Sequence, residues 1–311
     1  KYNPTHTNTK NLIDEVKFTS ERLTKKGYIE NQILENLKKS DSSFIAKLSL
    51  GDQIKFIHIH IGTNNHLKEI ITPNKNTDTL SLSYTETETF LNNTLKKLEL
   101  NGYAFAKLKL TNIKKKNNSL YADLHFEQGQ QKKLNAIVVK YNESNKRSNF
   151  PEGHLKQINR KYTNNTFNQD IVIKIQDDFE KFGFVNQIKT PEILFTKDTT
   201  KVYVYLEKRK SNNFDGFIGF ATNDKDKLIF NGYLDLILEN TIKAGEQFSL
   251  IWKSDGNNQK TFKASIDLPY IFKTPIGLKA QIHIFKKDSI FQNTKTAIDL
   301  GYFIDYKTRI Y

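Results

Sequence analysis

Apolar and polar residues alternate with period two through the last third of the chain. One register reads Leu228, Phe230, Gly232, Leu234, Leu236, Leu238, then Phe248, Leu250, Trp252 and Phe262, Ala264, Ile266, Leu268. It continues as Ile276, Leu278, Ala280, Ile282, Ile284 and ends on Ile298, Leu300, Tyr302, Ile304, Tyr306. The intervening positions, among them Asn231, Asp235 and Glu239, are mixed and increasingly polar. A two-residue period gives each strand one greasy and one wet face. Five such strands, preceded by the glycine-rich stretch 214–221, make about six, and polar turns join them; this is the pattern of an antiparallel transmembrane β-barrel. In that reading Leu234, Leu236, Leu250, Trp252, Ile266, Leu278 and Ile282 face lipid, with Tyr302 and Tyr306 as interface anchors.

Upstream of Phe214 the pattern changes to a unit repeated three times. Its clearest element is the end of an amphipathic helix running into a strand, at Gly27-Tyr28, Gly102-Tyr103 and Gly183-Phe184, each with a large apolar residue four positions before the glycine. Glycine just past a helix is the usual left-handed cap. Strand pairs follow at 29–37 with 44–50, 104–113 with 119–126, and 185–195 with 200–206. Gly51 and Gly129 then hand the chain to further apolar strands, 54–61 and 134–139. The third copy shows two helices, 152–162 after Pro151 and 168–182, the second with Ile171, Ile175, Phe179 and Phe182 on one face. Strand–helix–helix–strand–strand describes a small α+β domain. The first copy lacks its opening strand, and the second shows no clear first helix around 64–74.

Composition narrows the setting. No stretch approaches the ~20 apolar residues that a membrane helix needs. The chain has no Met and no N-terminal targeting segment, which implies a processed or trimmed chain. With no Cys, disulfides and thiolate metal sites are excluded, as suits an oxidising compartment. The net charge is +14; residues 214–311 hold thirteen Lys/Arg against eleven Asp/Glu, so +2, and the first 213 residues carry the remaining +12. A basic half of this kind is open to nucleic acid, anionic headgroups or acidic proteins, or is a solvated surface from an Asn/Lys-rich composition.

No catalytic arrangement stands out, and the reading is a non-enzyme with no cofactor and no metal. His58 and His60 share a strand face at a spacing that a metal site could use, against the plainer reading of a surface pair. Asp224, Asp226 and Asp255 lie in turn-like stretches where Asp bonds its own backbone. Gly216 and Gly219 precede no helix, so they form no phosphate loop.

Taken in order, these parts resemble the outer-membrane assembly and secretion superfamily that includes BamA, TamA and the two-partner secretion transporters. The motifs that carry the likeness are the three helix-end Gly-aromatic pairs and the Gly51 and Gly129 hand-offs. To these are added the first strand Phe214-Asp215-Gly216-Phe217-Ile218-Gly219-Phe220 and the turn Asp267-Leu268-Pro269-Tyr270-Ile271-Phe272. The composition resembles that of Bacteroidota members. The resemblance implies POTRA domains (β-α-α-β-β) at 1–52, 53–129 and 130–212, followed by the start of a roughly sixteen-stranded barrel at 213–311. Six strands cannot close a barrel in lipid, so the chain is expected to be part of a longer protein.

By the same resemblance the location is the outer membrane, with the N-terminal domains in the periplasm. The partners are unfolded outer-membrane protein clients, outer-membrane lipids and accessory lipoproteins, with no nucleic acid. Clients would add as strands to domain edges at Ala104, Lys107 and Lys109 and at Val185, Gln187 and Lys189. The barrel seam would start at Phe214, Gly216, Ile218, Gly219 and Phe220, its glycines either loosening that seam or simply relieving crowding. Two alternatives stay open: an export pore for one dedicated partner, and a soluble basic binding scaffold whose late strands form a sandwich.

Overall fold

The structure is a computed structural model that describes residues 5–40, 42–62, 65–71, 78–141, 149–222, 228–256, 259–304 and 308–311. The chain divides into two units, Lys1–Gln131 and Lys132–Tyr311.

The first unit opens with helix α1 (Thr9–Lys25), started by the Asn8 side chain, which accepts a bond from the Asn11 amide at 2.8 Å. The helix ends as the Gly-aromatic pair requires. Gly27 takes φ +97 while the Tyr28 amide donates back to the Leu23 carbonyl at 3.0 Å, a Schellman closure. A Cβ at residue 27 would sit 2.2 Å from the Ile54 carbonyl oxygen, so glycine is required twice over. Strands β1 (Gln32–Ser40) and β2 (Ser43–Ser49) follow as a two-stranded antiparallel sheet.

The rest of this unit runs β3 (Phe56–His60), α2 (Asn65–Ile71), β4 (Thr79–Ser83), α3 (Tyr84–Leu100), β5 (Lys107–Lys116) and β6 (Ser119–Glu127). Its sheet has the order β4-β3-β6-β5, with β3 and β6 parallel. Alternate residues of β3 and β6 (Ile57, Ile59, Leu120, Leu124) are buried with Leu67 and Leu98 from the helices. Two features differ from the sequence expectation. A first helix does occupy part of 64–74, as the seven-residue α2, and β4 is an additional strand beside β3.

The second unit begins with β7 (Ala136–Tyr141), α4 (Glu152–Tyr162), α5 (Gln169–Glu180), β8 (Val185–Phe195) and β9 (Thr200–Lys208). The sheet order is β7-β9-β8, again with the opening strand parallel to the last. Leu134, Ile158, Ile175, Phe179, Val202, Val204 and Leu206 form its core. Asp178 is buried but satisfied, accepting from the Tyr162 hydroxyl at 2.5 Å and from Lys161 Nζ at 3.0 Å. Burial and that neighbouring carboxylate push the Tyr162 hydroxyl pKa up. The third helix-end glycine departs from the other two. Gly183 lacks the left-handed φ, and its missing Cβ instead leaves room for the Glu239 carboxylate, which would lie 2.7 Å from it.

Seven strands complete this unit: β10 (Asn213–Thr222), β11 (Leu228–Glu239), β12 (Gln247–Asp255), β13 (Gln259–Leu268), β14 (Ile276–Lys287), β15 (Phe291–Phe303) and the two-residue β16 (Arg309–Ile310). They pair in sequence order as one antiparallel sheet, so the fold is α+β modules followed by a large antiparallel wall. The last long strand starts earlier than its alternation implies, because β15 pairs with β14 as far back as Phe291. No helix among the described residues is long and apolar enough to cross a membrane, which leaves strands unaddressed.

His154 on α4 is enclosed by the rings of Phe150, Phe182, Phe184 and Tyr270, and its Nδ1 has no hydrogen-bond partner among the described residues. Burial lowers its pKa from 6.5 to about 4, since a desolvated imidazolium loses its hydration. Glu152, Lys273, Lys181, Glu239, Glu246 and Asp267 lie around it without hydrogen-bonding the ring. The unfolded chain takes up this proton near pH 6.5. Stability from the neutral ring is therefore complete above pH 6.5 and falls as the pH drops toward about 4. The loss amounts to about 3 kcal/mol over that window. Urea unfolding followed by circular dichroism should show this fall between pH 7 and pH 4.5, and H154F should flatten it.

Candidate functional site: open strand edges and an uncovered apolar face

Sheet order puts β8 at one edge of the third module, opposite β7, and β5 at one edge of the second, opposite β4. On β8, Val185 is buried and the Gln187 amide donates to the Gln176 carbonyl at 2.7 Å. Lys189 pairs with Glu192 and lies 3.9 Å over the Tyr205 ring, while the Tyr205 hydroxyl donates to Glu192 at 2.5 Å. Hydrogen bonds to Lys189 and Tyr205 hold the Glu192 carboxyl below its usual range. Register shifts fall on both sides of Lys189. On β5, Lys107 pairs with Glu127 at 3.3 Å, Lys109 stands opposite His125, and a shift separates Thr111 from Lys114. Ala104 lies in the turn before the strand, because pairing starts only at Lys107. Lysines and bulges of this kind limit indiscriminate pairing at an edge. The first module carries only β1 and β2, with no strand parallel to β2 among the described residues.

In the wall, the ladder from β10 to β15 pairs residue for residue without a bulge. Leu234 therefore faces Trp252, Trp252 faces Phe262, and Phe262 faces Ile284. Likewise Leu236 meets Leu250, Phe248 meets Ile266, Ala264 meets Ile282, and Leu268 meets Leu278. All seven residues expected on the apolar belt share one face, together with Phe214, Ile218 and Phe220 of the first strand. The opposite face collects Asp215, Asp235, Ser249, Lys263, Asp267, Lys279, Gln281, His283 and Lys295. Among the described residues no apolar side chain of the greasy face is buried: Phe214 is 67% exposed, Ile218 60%, Phe220 74% and Ile298 75%. A continuous exposed apolar face of this extent is foreign to a water-soluble sandwich, which covers such a face with a second sheet. Tyr302 sits on this face half exposed, and Tyr306 lies outside the described residues.

The seam glycines have a steric role. A Cβ on Gly216 would lie 2.6 Å from the Tyr233 carbonyl oxygen, and one on Gly219 would lie 2.5 Å from Asn231 Oδ1. Across the ladder Gly232, at φ +135, would put a Cβ 2.1 Å from the Phe217 carbonyl oxygen. At Gly216 and Gly232 the missing Cβ lets the β10 and β11 backbones lie close together.

The remaining sequence candidates are ordinary. His58 donates to or accepts from Ser81 at 2.7 Å and stacks on Tyr121 at 4.7 Å, a surface pair. Among the described residues no group of three acidic, His or Cys side chains could hold a metal ion. Asp255 caps its own turn, accepting from the Gln259 amide at 2.9 Å, while Asp224 and Asp226 lie outside the described residues. What sequence reasoning missed is Tyr270, whose burial against the third module no local pattern signals.

No protein-family model matches the chain, and no curated protein matches it in sequence. Among solved structures, BamA from Haemophilus ducreyi lacking POTRA domains 1–3 is similar at 16% identity and a TM-score of 0.49, over 78% of this chain and 46% of that one. CdiB from Acinetobacter baumannii is similar at 13% identity and a TM-score of 0.41, over 94% of this chain and 58% of that one. POTRA domains 1–3 of the Anabaena Omp85 periplasmic domain are similar at 11% identity and a TM-score of 0.31, over 48% of this chain and 58% of that one. The chain thus spans about half the length of the first of these and somewhat more than half of the other two.

The two faces make opposite predictions for charge. L250R puts a cation on the apolar face and should cost about 2–4 kcal/mol of insertion stability if that position lies near the bilayer midplane. S249R, one residue away on the polar face, should cost little. Folding into vesicles followed by urea titration measures both, and equal costs would contradict the two-faced wall.

Proposed function

We propose that this chain is the periplasmic and early-barrel part of a non-enzymatic outer-membrane assembly factor. Its modules receive unfolded barrel precursors by strand addition at β5 and β8, and its wall templates them into the bilayer from β10. The observation that supports this best is the wall itself, with a greasy face open from edge to edge and a polar face behind it. In hydrocarbon a sheet with such a face must satisfy its edge amides by pairing, so the free side of β10 invites a strand. In water the edges of β5 and β8 offer the same unpaired backbone, which reads no side chains and so suits many clients. The clients are chains rich in period-two strands, lipids cover the apolar belt, and the location is the outer membrane with the modules in the periplasm. Accessory lipoproteins fit the same edges. The domains are those at 1–52, 53–129, 130–212 and 213–311.

Photo-crosslinking in native membranes tests this reading. A crosslinker at Lys109 or Gln187 should capture an unfolded barrel precursor, and one at Phe214 should capture it later in its insertion. Lys174, exposed on α5, serves as the control and should capture none. Adducts to a single exported protein, with conduction by the pore, would favour the dedicated-export alternative. Recovery of the protein without detergent would end the membrane assignment.

A further inference from the structure

Four residues, 209–212, join β9 to β10, the Arg209 amide donating to the Phe184 carbonyl at 3.0 Å and Asn212 Oδ1 accepting from the Glu239 amide at 2.9 Å. The third module meets the wall at three further points. Tyr270, in the turn after β13, is 4% exposed. Its ring stands edge-on to His154 of α4, with centroids 4.7 Å apart and planes at 90°. Behind it lies Phe303 at 4.4 Å. Residue 153 is glycine, and a Cβ there would lie 2.8 Å from Tyr270 Cβ. In the neighbouring turn a Cβ on Gly245 would lie 2.2 Å from His154 Cε1, and Gly183 gives way in the same manner to Glu239. Lys273 pairs with Glu152 at the rim.

Two further observations set this contact apart from ordinary packing. Tyr270, Phe272 and Lys273 all adopt left-handed backbone, with φ of 52°, 54° and 59°. Non-glycine residues hold that conformation only where their surroundings impose it. The contact also continues into the wall. Arg309 lies 5.1 Å over Phe303 and 4.7 Å over Tyr311, and pairs with Asp267 at 2.7 Å, three residues before Tyr270. It rests across the facing pair Gly277 and Gly301, where a Cβ would lie 2.9 Å and 2.5 Å from the guanidinium group.

We propose that Tyr270 is the pin of a clasp that holds the third module at one angle to the wall. Gly153 and His154 form its socket, and Phe303, Arg309 and Asp267 form its backing. Tyr270 and His154 are then positioning residues, which keep the client edge β8 aligned with the first wall strand β10. That positioning role rests on the function proposed above, whereas the clasp does not.

These 311 residues contain no cysteine, and any elsewhere in the full-length protein is replaced by serine before labelling. Spin labels at K174C on α5 and S289C in the β14–β15 hairpin, on the full-length protein in lipid nanodiscs, report the angle as a distance distribution. The unaltered joint should give one narrow distance. Y270A should broaden it, raising the undocked population about ten-fold, the factor that losing two buried ring contacts corresponds to. Y270F keeps the ring and should stay narrow. G153A, which pushes a methyl group against the ring from the module side, should broaden it as Y270A does.

In a client-insertion assay Y270A should slow insertion in proportion to the docked fraction that the distance distribution shows to be lost. A short bis-maleimide bridge between E152C and K273C in the Y270A background should restore both readouts. A narrow distribution in both Y270A and G153A would overturn the clasp. Broadening with unchanged insertion, or slow insertion that the bridge does not restore, would overturn the positioning role. A protein that inserts no client at all would sink the proposed function and leave the distance measurement intact.

Discussion

The unbroken register of the wall is the constraint on which everything else depends. From β10 to β15 each residue has one partner, and a single-residue slip anywhere would carry a whole strand's apolar set to the polar face. Because no slip occurs, the row Leu234–Trp252–Phe262–Ile284 stays greasy across four strands while Tyr233–Lys253–Thr261–Phe285 runs behind it. The same ladder that makes a surface fit for hydrocarbon also leaves β10 and β16 with unpaired backbone among the described residues. In lipid that deficit has to be met by another strand.

The module edges face water and are built differently. β8 has register shifts on both sides of Lys189, and β5 has one after Thr111 with Lys107 and Lys109 near its start. Charges and bulges blunt an edge in water, where an over-eager strand would aggregate. β10 has no bulge, and beside its one charge, Asp215, it exposes Phe214, Phe217, Ile218 and Phe220. The wall edge thus carries apolar rings where the module edges carry lysines and bulges.

How much of this the sequence shows depends on how far each signal is local. Alternation was legible from Leu228 to Ile284 because the wall is one layer with two unlike faces. It failed at 291–297, where Gln292, Asn293, Thr294, Lys295 and Thr296 are polar on both faces and only pairing with β14 extends the strand. Helix α4 and strand β8 fall where punctuation by Pro151 and Gly183 puts them. The seven-residue α2 and five-residue β4 are too short for a period to emerge, and both form by packing on the sheet that β3 and β6 build. The edge positions of β5 and β8 followed from the module order, but their bulges did not, since a bulge leaves no mark in residue type.

Glycine shows most clearly where sequence reading stops. Gly27, Gly102 and Gly183 look alike in the chain, each followed by an aromatic residue. The first two adopt left-handed backbone and cap helices, whereas Gly183 does not, and neither does Gly153. At these two positions, and at Gly245 in the wall's turn, the missing Cβ makes room for a residue far away in sequence: Glu239, Tyr270 and His154 respectively. A cap is decided by its own four or five residues and can be read from them. Room for a distant side chain is decided by the partner, and His154 and Tyr270 are 116 positions apart. Three such glycines, split between the module and the turns that it touches, mark a junction where backbone approaches side chain at separate points. At Gly153 and Gly245 the neighbour is the Cβ or ring of a packed aromatic side chain, which leaves a methyl group no room, whereas the Glu239 carboxylate beside Gly183 is the end of a flexible side chain.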